Sequence, residues 1–407
     1  MKQRVLFQVN ECLNSSTGKI ARQIGEAAIS HGWVSYIAYS SFEDYQPTKC
    51  KTFTVGSKLD YYLHAIETRI FDNHGLASRT ATRRLVEKIH EIDPDVIHLH
   101  NVHGYYLNYK ILFDYLSSVN KPVVWTMHDC WAFTGHCAHF VTVGCEKWMK
   151  GCYKCPLKKD YPKSYGMDRS QKNYQQKKIS FTSVKDMVIV PVSYWLSESL
   201  SESYLNKYPV KVINNGIDLD VFKPTEKDVF SDAKEEGKLI LLGVANVWCK
   251  DKGIDEFIRL SQDERFQVVL VGVTPNVKKT LPNSIIAIER TNNQQELADI
   301  YFSADVFVNP TYADTLPTVN IEAIACGTPV VTYRTGGSPE IIDVNTGYVV
   351  NQGDFEGLIK GILSIASMNK ASRIQQKNLC RARAIARFNK DERFEEYIEL
   401  YNSLLKK

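Results

Sequence analysis

The sequence predicts an α/β protein whose two halves each carry a parallel sheet with helices on both faces. Three observations predict it: short apolar runs recur along the chain, stretches of helical pattern separate them, and a turn-rich segment near the middle divides two such series. The first series opens with Val5-Leu6-Phe7, a helix from about Gly18 to His31, and Ser35-Tyr36-Ile37-Ala38-Tyr39, a βαβ start. Asp95 to His100 and Pro122 to His128 read as further strands, each ending in a histidine, and Met187 to Val192 and Val210 to Ile213 close the half. Asn214-Asn215-Gly216-Ile217-Asp218 has the turn chemistry of a linker. The second series restarts at Leu239 to Gly243, continues at Gln267 to Gly272, and ends in Val306 to Glu340. A last amphipathic helix is expected from Glu392 to Leu405.

Composition bounds the function. At 407 residues the chain is long enough for two or three domains with cores of their own, and two fits the pattern. With 44% hydrophobic and 24% charged residues it is neither disordered nor fibrous. No apolar run approaches the ~20 residues that cross a bilayer, and MKQRVLFQVNECLNSS reads as a first strand and not a signal peptide, so a cytoplasmic location is expected. The formal net charge is +4, yet residues 146–178 hold ten Lys/Arg against three Asp/Glu. Trp148, Tyr153, Tyr161, Tyr165 and Tyr174 are interleaved with those bases. Two readings stand: a solvated lysine-rich surface, or a contact with an anionic membrane surface or a lipid-phosphate acceptor, which would place the protein at the inner face of the membrane. Nucleic acid is not expected, since no recognition motif accompanies the charge.

The most informative stretch is VFVNPTYADTLPTVNIEAIACGTPVVTYRTGGSPE, residues 306–340. Val306-Phe307-Val308 suits a buried strand, which Asn309-Pro310 ends. Asp314 and Thr315 are N-cap types, Pro317 suits the first helical position, and Ile321, Ile324 and Ala325 give an apolar face until Gly327 and Pro329 stop the helix. Val330 to Tyr333 is the next strand. In such a unit ligands sit at the carboxyl ends of the strands, where the helix N-terminus offers free N–H groups and about half a positive charge to an anion. Two carboxylates, Asp314 and Glu322, fall there.

The string from Asp314 to Glu322, with Glu322-Ala-Ile-Ala-Cys-Gly-Thr-Pro-Val-Val331 and Gly336-Gly337-Ser338-Pro339-Glu340, closely resembles the retaining glycosyltransferases of family 4. Asn215-Gly-Ile-Asp218 followed by Phe222 resembles that family's interdomain signature, so the resemblance covers nearly the whole chain. It implies the GT-B fold, two Rossmann-like domains facing across a cleft. Residues 1–213 would form the acceptor-side domain, with a Cys-rich insertion at about 130–178; residues 214–387 the nucleotide-sugar domain; and residues 388–407 a helix crossing back.

The resemblance also implies roles. Asp314 would contact hydroxyls of the donor sugar, although the family usually has Glu there and Asp is one methylene shorter; Glu322 would contact the ribose. Lys252, followed by Gly253, matches the lysine that meets the departing diphosphate, helped by helix N-terminal amides near Thr315, Leu316 and Thr318. Family members usually carry arginine directly after the strand glycine, where this chain has Val244, and Lys250 or Arg290 are the candidate substitutes. Gly18, in Ser15-Ser-Thr-Gly-Lys19, opens a helix and resembles the loop that approaches donor phosphate and acceptor; it is not a Walker motif. His128-Asp129 resembles the family histidine near sugar or acceptor.

All ten histidines lie at or before His139. His98, His100 and His103 are expected to serve the acceptor pocket or the structure. Cys137, Cys145, Cys152 and Cys155, ending in a Cys-x-x-Cys knuckle, have spacing that a structural zinc accepts, with free thiols and a redox pair as the alternatives. The segment from His128 to Pro156 resembles an insertion in family 4 enzymes of exopolysaccharide and colanic-acid-like clusters. The expectation is therefore an enzyme moving a sugar from a UDP- or GDP-sugar to a lipid-linked or oligosaccharide acceptor in surface polysaccharide synthesis, with no cofactor required for catalysis. The alternatives are a non-catalytic nucleotide-sugar-binding subunit of the same pathway and a GT-B-type sugar-nucleotide epimerase.

Overall fold

The structure is a computed structural model that describes residues 3–42 and 45–406. The chain divides into two compact units, Met1–Asn214 with Arg393–Lys407, and Asn215–Glu392.

The first unit is built on six parallel strands: β1 (Val5–Val9), β2 (Val34–Ser40), β3 (Lys51–Val55), β4 (Val96–Leu99), β5 (Val123–Met127) and β6 (Met187–Pro191). Their order is β3-β2-β1-β4-β5-β6, so the winding reverses between β1 and β4. Ligand crevices of doubly wound sheets open at such a reversal. β4, β5 and β6 are buried along their whole length, which is why they appear in the sequence as mainly apolar runs, interrupted by His98 and Thr126. β3 is an edge strand with three of its five residues exposed and has no such signature. Val210 to Ile213, expected as a strand, makes only a single bridge from Val210 to Ile189. Backbone bonds from Ile189 to Pro209, from Lys211 to Ile189 and from Ile213 to Pro191 still tie the segment to β6.

The helix Lys390–Leu404 supplies Phe394, Tyr397, Ile398, Tyr401 and Leu404 to the core that Leu6, Val96, Val124 and Val190 line. Two hydroxyls fix it further: Tyr401 bonds His98 Nδ1 at 2.7 Å, and Thr126 donates to Tyr397 at 3.1 Å. Each buried apolar side chain of this kind is worth about 1.5–3 kcal/mol, so the helix is an integral part of the first unit.

The second unit carries β7 (Leu239–Val244), β8 (Phe266–Val271), β9 (Ile286–Ile288), β10 (Val306–Asn309), β11 (Val330–Tyr333) and β12 (Gly347–Val350). All pairings are parallel, in the order β12-β11-β10-β7-β8-β9, again with a reversal, here between β10 and β7. Leu241, Val268, Val306 and Val331 form the strand side of its core, with Phe257, Leu358 and Ile362 against them.

Candidate functional site

In the second unit the carboxyl ends of β7 and β10 lie side by side, and the chain after each converges on one place. After β7 comes a tight turn, Lys250–Lys252, and then the helix Ile254–Leu260. Gly253, between them, has φ +72°, and a Cβ there would stand 2.5 Å from Pro310, so only glycine lets the turn lie against the end of β10. The contact is stitched by Tyr312 N and Thr311 Oγ1, which both donate to the Asp251 carbonyl, at 2.8 and 3.0 Å. Lys252 is thereby held with its Nζ 3.0 Å from Asp314 Oδ2 and 3.1 Å from the Ala313 carbonyl. Burial works against the ammonium charge, but the Asp314 carboxylate overrides it and the lysine pKa is raised.

The loop after β11 closes on the same residues. Gly336 has φ +51°, and a Cβ would fall 1.8 Å from the Asp314 carbonyl; Gly337 N donates to the Thr315 carbonyl at 3.0 Å. Thr315 and Leu316 are buried beneath this clasp. The helix Thr318–Ala325 starts one residue later than expected: Pro317 is its N-cap, in extended conformation, and Asn320 N reaches back to the Pro317 carbonyl at 3.1 Å. No side chain caps this helix, so the N-terminal amides that Asp314 or Thr315 would have capped are left to other partners. Asn320 Nδ2 and Ser338 Oγ, both buried, have no hydrogen-bond partner among the described residues. Buried polar atoms are normally satisfied, so each is a donor still open to a ligand or water.

Glu322 lies in the second turn of that helix and accepts a 2.9 Å hydrogen bond from the Tyr301 hydroxyl. Burial, with Glu322 adding to it, pushes the Tyr301 phenol well above its ordinary value, so it remains a donor. Tyr301 sits on the helix Gln294–Ser303, and nothing in its local sequence marks it. Lys250 and Arg290 are both exposed. Lys250 is paired at 3.9 Å with Asp255, and Arg290 follows β9.

The first unit gathers the histidines at the carboxyl ends of β4 and β5. His128 Nε2 lies 3.3 Å from His100 Nδ1, and His100 Nε2 lies 3.1 Å from Gln8 Oε1 on β1. Burial lowers the His128 pKa to about 4, so it is a neutral imidazole at physiological pH. His103 bonds Asp129 Oδ2 through Nε2 at 2.8 Å and Tyr161 OH through Nδ1 at 3.0 Å. Burial again opposes charge on His103, but Asp129 wins and its pKa is raised; the same pairing holds Asp129 well below the carboxylate range. This Tyr161–His103–Asp129 array was not foreseen as a unit. His98 bonds Thr126 and Tyr401 and is a core residue. Gly18 is in the first turn of the helix Ser16–Ser30, its N–H facing Ser15 Oγ at 3.5 Å.

Cys137, Cys145, Cys152 and Cys155 line one small pocket with His136, Trp148 and Lys147. The neighbouring Cys137 thiol lowers the Cys155 pKa to about 7, and Gly135 N donates to Cys152 Sγ at 3.1 Å. Among the described residues, however, no three His, Cys, Asp or Glu side chains are placed to hold a metal ion. The insertion is tied to the first unit in other ways. His136 and Asp72 form a fully buried pair at 2.6 Å, and Lys177 Nζ, whose pKa burial lowers to about 7, donates to the carbonyls of Trp131 and Thr134 at 2.7 and 3.2 Å.

Two sheets each reversed at the centre, one bearing a lysine–acid pair beside an uncapped helix, define the class: a GT-B glycosyltransferase. Residues 238–368 match the family model of glycosyl transferases group 1, and residues 23–221 that of glycosyltransferase family 4, so the chain belongs to these glycosyltransferases. It is 24% identical over 412 residues to the putative colanic acid biosynthesis glycosyl transferase WcaC of Escherichia coli K12, covering 95% of this chain and 96% of that one. It is 23% identical to an uncharacterized 41.2 kDa protein in the cps region of Klebsiella pneumoniae, over 76% of this chain and 79% of that protein. Among solved structures, sucrose-phosphate synthase from Thermosynechococcus elongatus superposes with a TM-score of 0.73 at 18% identity, over 99% of this chain and all of the other. Anabaena HepE in complex with UDP-glucose gives 0.67 at 15% identity, over 98% and 99%. These structural likenesses speak to fold.

Proposed function

We propose that this glycosyltransferase moves a sugar, with retention of anomeric configuration, from a nucleotide-sugar donor to a lipid-linked or oligosaccharide acceptor in surface polysaccharide synthesis. The observation that carries the donor side is the Lys252–Asp314 pair at 3.0 Å, set at the ends of β7 and β10 beside an uncapped helix. Two of the ammonium's three N–H donors go to Asp314 and Ala313, which leaves one for a phosphate oxygen. Asn320 Nδ2, on the helix that follows Asp314, and Ser338 Oγ, after the Gly336 loop, are further donors without a partner among the described residues. The likeness to WcaC and the cps-region protein supports the polysaccharide setting.

In this reading Lys252 and the helix amides take up the charge that develops on the departing diphosphate. Asp314 holds a hydroxyl of the donor sugar, and Glu322, oriented by Tyr301, holds the ribose. The bond from the anomeric carbon to the phosphate oxygen breaks, the acceptor oxygen bonds that carbon on the same face, and the acceptor proton passes to the phosphate oxygen that left. No metal ion is needed for these steps. His128, neutral and backed by His100 and Gln8, is suited to hold a sugar or acceptor hydroxyl.

We propose further that the four cysteines hold a structural zinc. Soft donors on one pocket and an amide aimed at Cys152 Sγ fit such an ion; the thiols would have to close on one another to bind it. Thermal-shift measurement against a panel of nucleotides and UDP- and GDP-sugars tests the donor assignment. One base should stabilise the protein in proportion to the logarithm of ligand over Kd, and a flat response to the entire panel would refute it. Nucleotide-sugar binding without hydrolysis or transfer would instead favour a non-catalytic subunit.

A further inference from the structure

The helix Lys58–Phe71 is built inside out. Its N-terminus is secured by a reciprocal capping pair between Ser57 and Asp60, so its place on the fold is well fixed. The side it buries is His64, Ala65 and Thr68, small or polar residues. Tyr61 packs on Phe42 and Tyr105, but the other large apolar side chains face outward: Leu59, Tyr62, Leu63, Ile66, Ile70 and Phe71 are 42–66% exposed. Apart from Phe71, these positions follow the helical repeat and fall within an arc of about 100°, on the side opposite His64 and Thr68. The stripe runs about 17 Å along the helix.

The Cys-rich insertion extends it. Tyr165 N donates to the Arg69 carbonyl at 2.8 Å and Met167 N to the Ile70 carbonyl at 3.0 Å, which sets Tyr165 and Met167, 63% and 55% exposed, at the end of the stripe. This same insertion supplies the positive charge. Lys159 and Lys163 are exposed near that end, Lys158 Nζ is anchored on the Gly166 carbonyl at 2.9 Å, and Lys58 and Arg69 are exposed on the helix itself. Residues 146–178 as a whole carry ten bases against three acids. Soluble proteins rarely leave a contiguous apolar stripe of this kind uncovered.

We infer that this face docks on an anionic phospholipid bilayer, the helix lying in the interfacial plane with its apolar stripe among the acyl chains and the lysines on the headgroups. Charge points to the occupant: Lys58 and Arg69 border one edge of the stripe, opposite Asp60 and Glu67 on the other, and the surplus of bases in residues 146–178 at its end matches a negative lipid surface. The described residues contain no helix long and apolar enough to cross a membrane, so attachment at the surface is the mode the stripe provides. The inference stands apart from the transferase reading, since it concerns a surface of the first unit alone.

Co-sedimentation of the full chain with phosphatidylcholine vesicles, with and without phosphatidylglycerol, tests it. Wild type should pellet with the anionic vesicles and release in high salt. The double variant Leu63→Gln/Ile66→Gln, both sites exposed, should bind about tenfold more weakly or worse while keeping the wild-type melting temperature. Lys159→Gln/Lys163→Gln should weaken binding to anionic vesicles, and Val344→Gln, an exposed apolar residue in the other unit, should leave it unchanged. Equal binding to neutral and anionic vesicles, no binding to either, or wild-type binding by the Leu63/Ile66 variant overturns the inference. A dimer in solution that dissociates in that variant also overturns it, and assigns the stripe to a second copy.

Discussion

Lys252 and Asp314 are 62 positions apart in the chain, yet the lysine Nζ stands 3.0 Å from the aspartate carboxylate. Gly253 against Pro310 and Gly336 against the Asp314 carbonyl bring them there. The shorter acid, an Asp where relatives of the resembled family usually carry Glu, is thus already engaged with the lysine. A donor diphosphate would enter a cation that is held and charged before it arrives.

Replacing Lys252 by alanine should lower kcat/KM by about 10²–10³, or ~2.7–4 kcal/mol of transition-state stabilisation. Arginine at the same position should restore part of the loss. Steady-state release of nucleotide diphosphate measures it, and wild-type turnover by Lys252→Ala would remove the lysine from the site.

Glu322 should be read by the ribose. Glu322→Ala is expected to weaken binding of a nucleoside diphosphate about tenfold, the scale of one hydrogen bond to a charged group. A 2′,3′-dideoxy analogue should bind wild type and variant alike. If calorimetry finds the same loss for the dideoxy analogue, Glu322 acts on something other than the ribose hydroxyls.

Acid should destabilise the first unit through its buried histidines. Burial lowers the pKa of His64 and His98 to about 3 and of His128 to about 4. From about pH 6.5 down to about pH 4 the unfolded chain binds protons at these sites and the folded chain does not, so stability falls as pH falls through that window. The slope is about 1.4 kcal/mol per pH unit for each histidine. Burial also holds His74 and His100 well below the ordinary value, so His103, whose pKa is raised and which works in the opposite direction, is one group against five. Five of the six tryptophans lie in the first unit, so their fluorescence reports on it. The urea midpoint at pH 5 should lie clearly below that at pH 7; an equal or higher midpoint contradicts the buried-neutral assignment.

If the cysteines hold zinc, elemental analysis of the purified chain should find about one equivalent, and Cys152→Ser/Cys155→Ser should lose it together with thermal stability. Metal-free protein with four reactive thiols at Cys137, Cys145, Cys152 and Cys155 would reject the proposal.

The centre of the second unit could be read from the sequence because β10 and β11 are buried along their whole length, whereas β9 and β12, only partly buried, went unread. β10 and β11 are continuous apolar runs, and Gly327 and Pro329 mark the turn between them. The error at Pro317 was one of backbone geometry: its fixed φ suits both the N-cap and the first helical residue, and only the Asn320 bond to its carbonyl decides. β3 escaped notice because an edge strand with lysine and threonine outward lacks an apolar run. Tyr301–Glu322 and Tyr161–His103–Asp129 join residues from separate elements, so periodicity and local spacing carry no trace of them. The Lys58–Phe71 stripe has clear helical periodicity, but periodicity alone would assign that face to the core; its exposure is a fact of the fold.

The central claim is most directly tested by incubating the purified chain with individual UDP- and GDP-sugars and measuring nucleotide release and the anomeric configuration of the transferred sugar. One donor should be consumed, with retention, and Lys252→Ala and Glu322→Ala should fall far below wild type. Release that does not depend on Lys252 or Glu322, or a product of inverted configuration, would contradict the account.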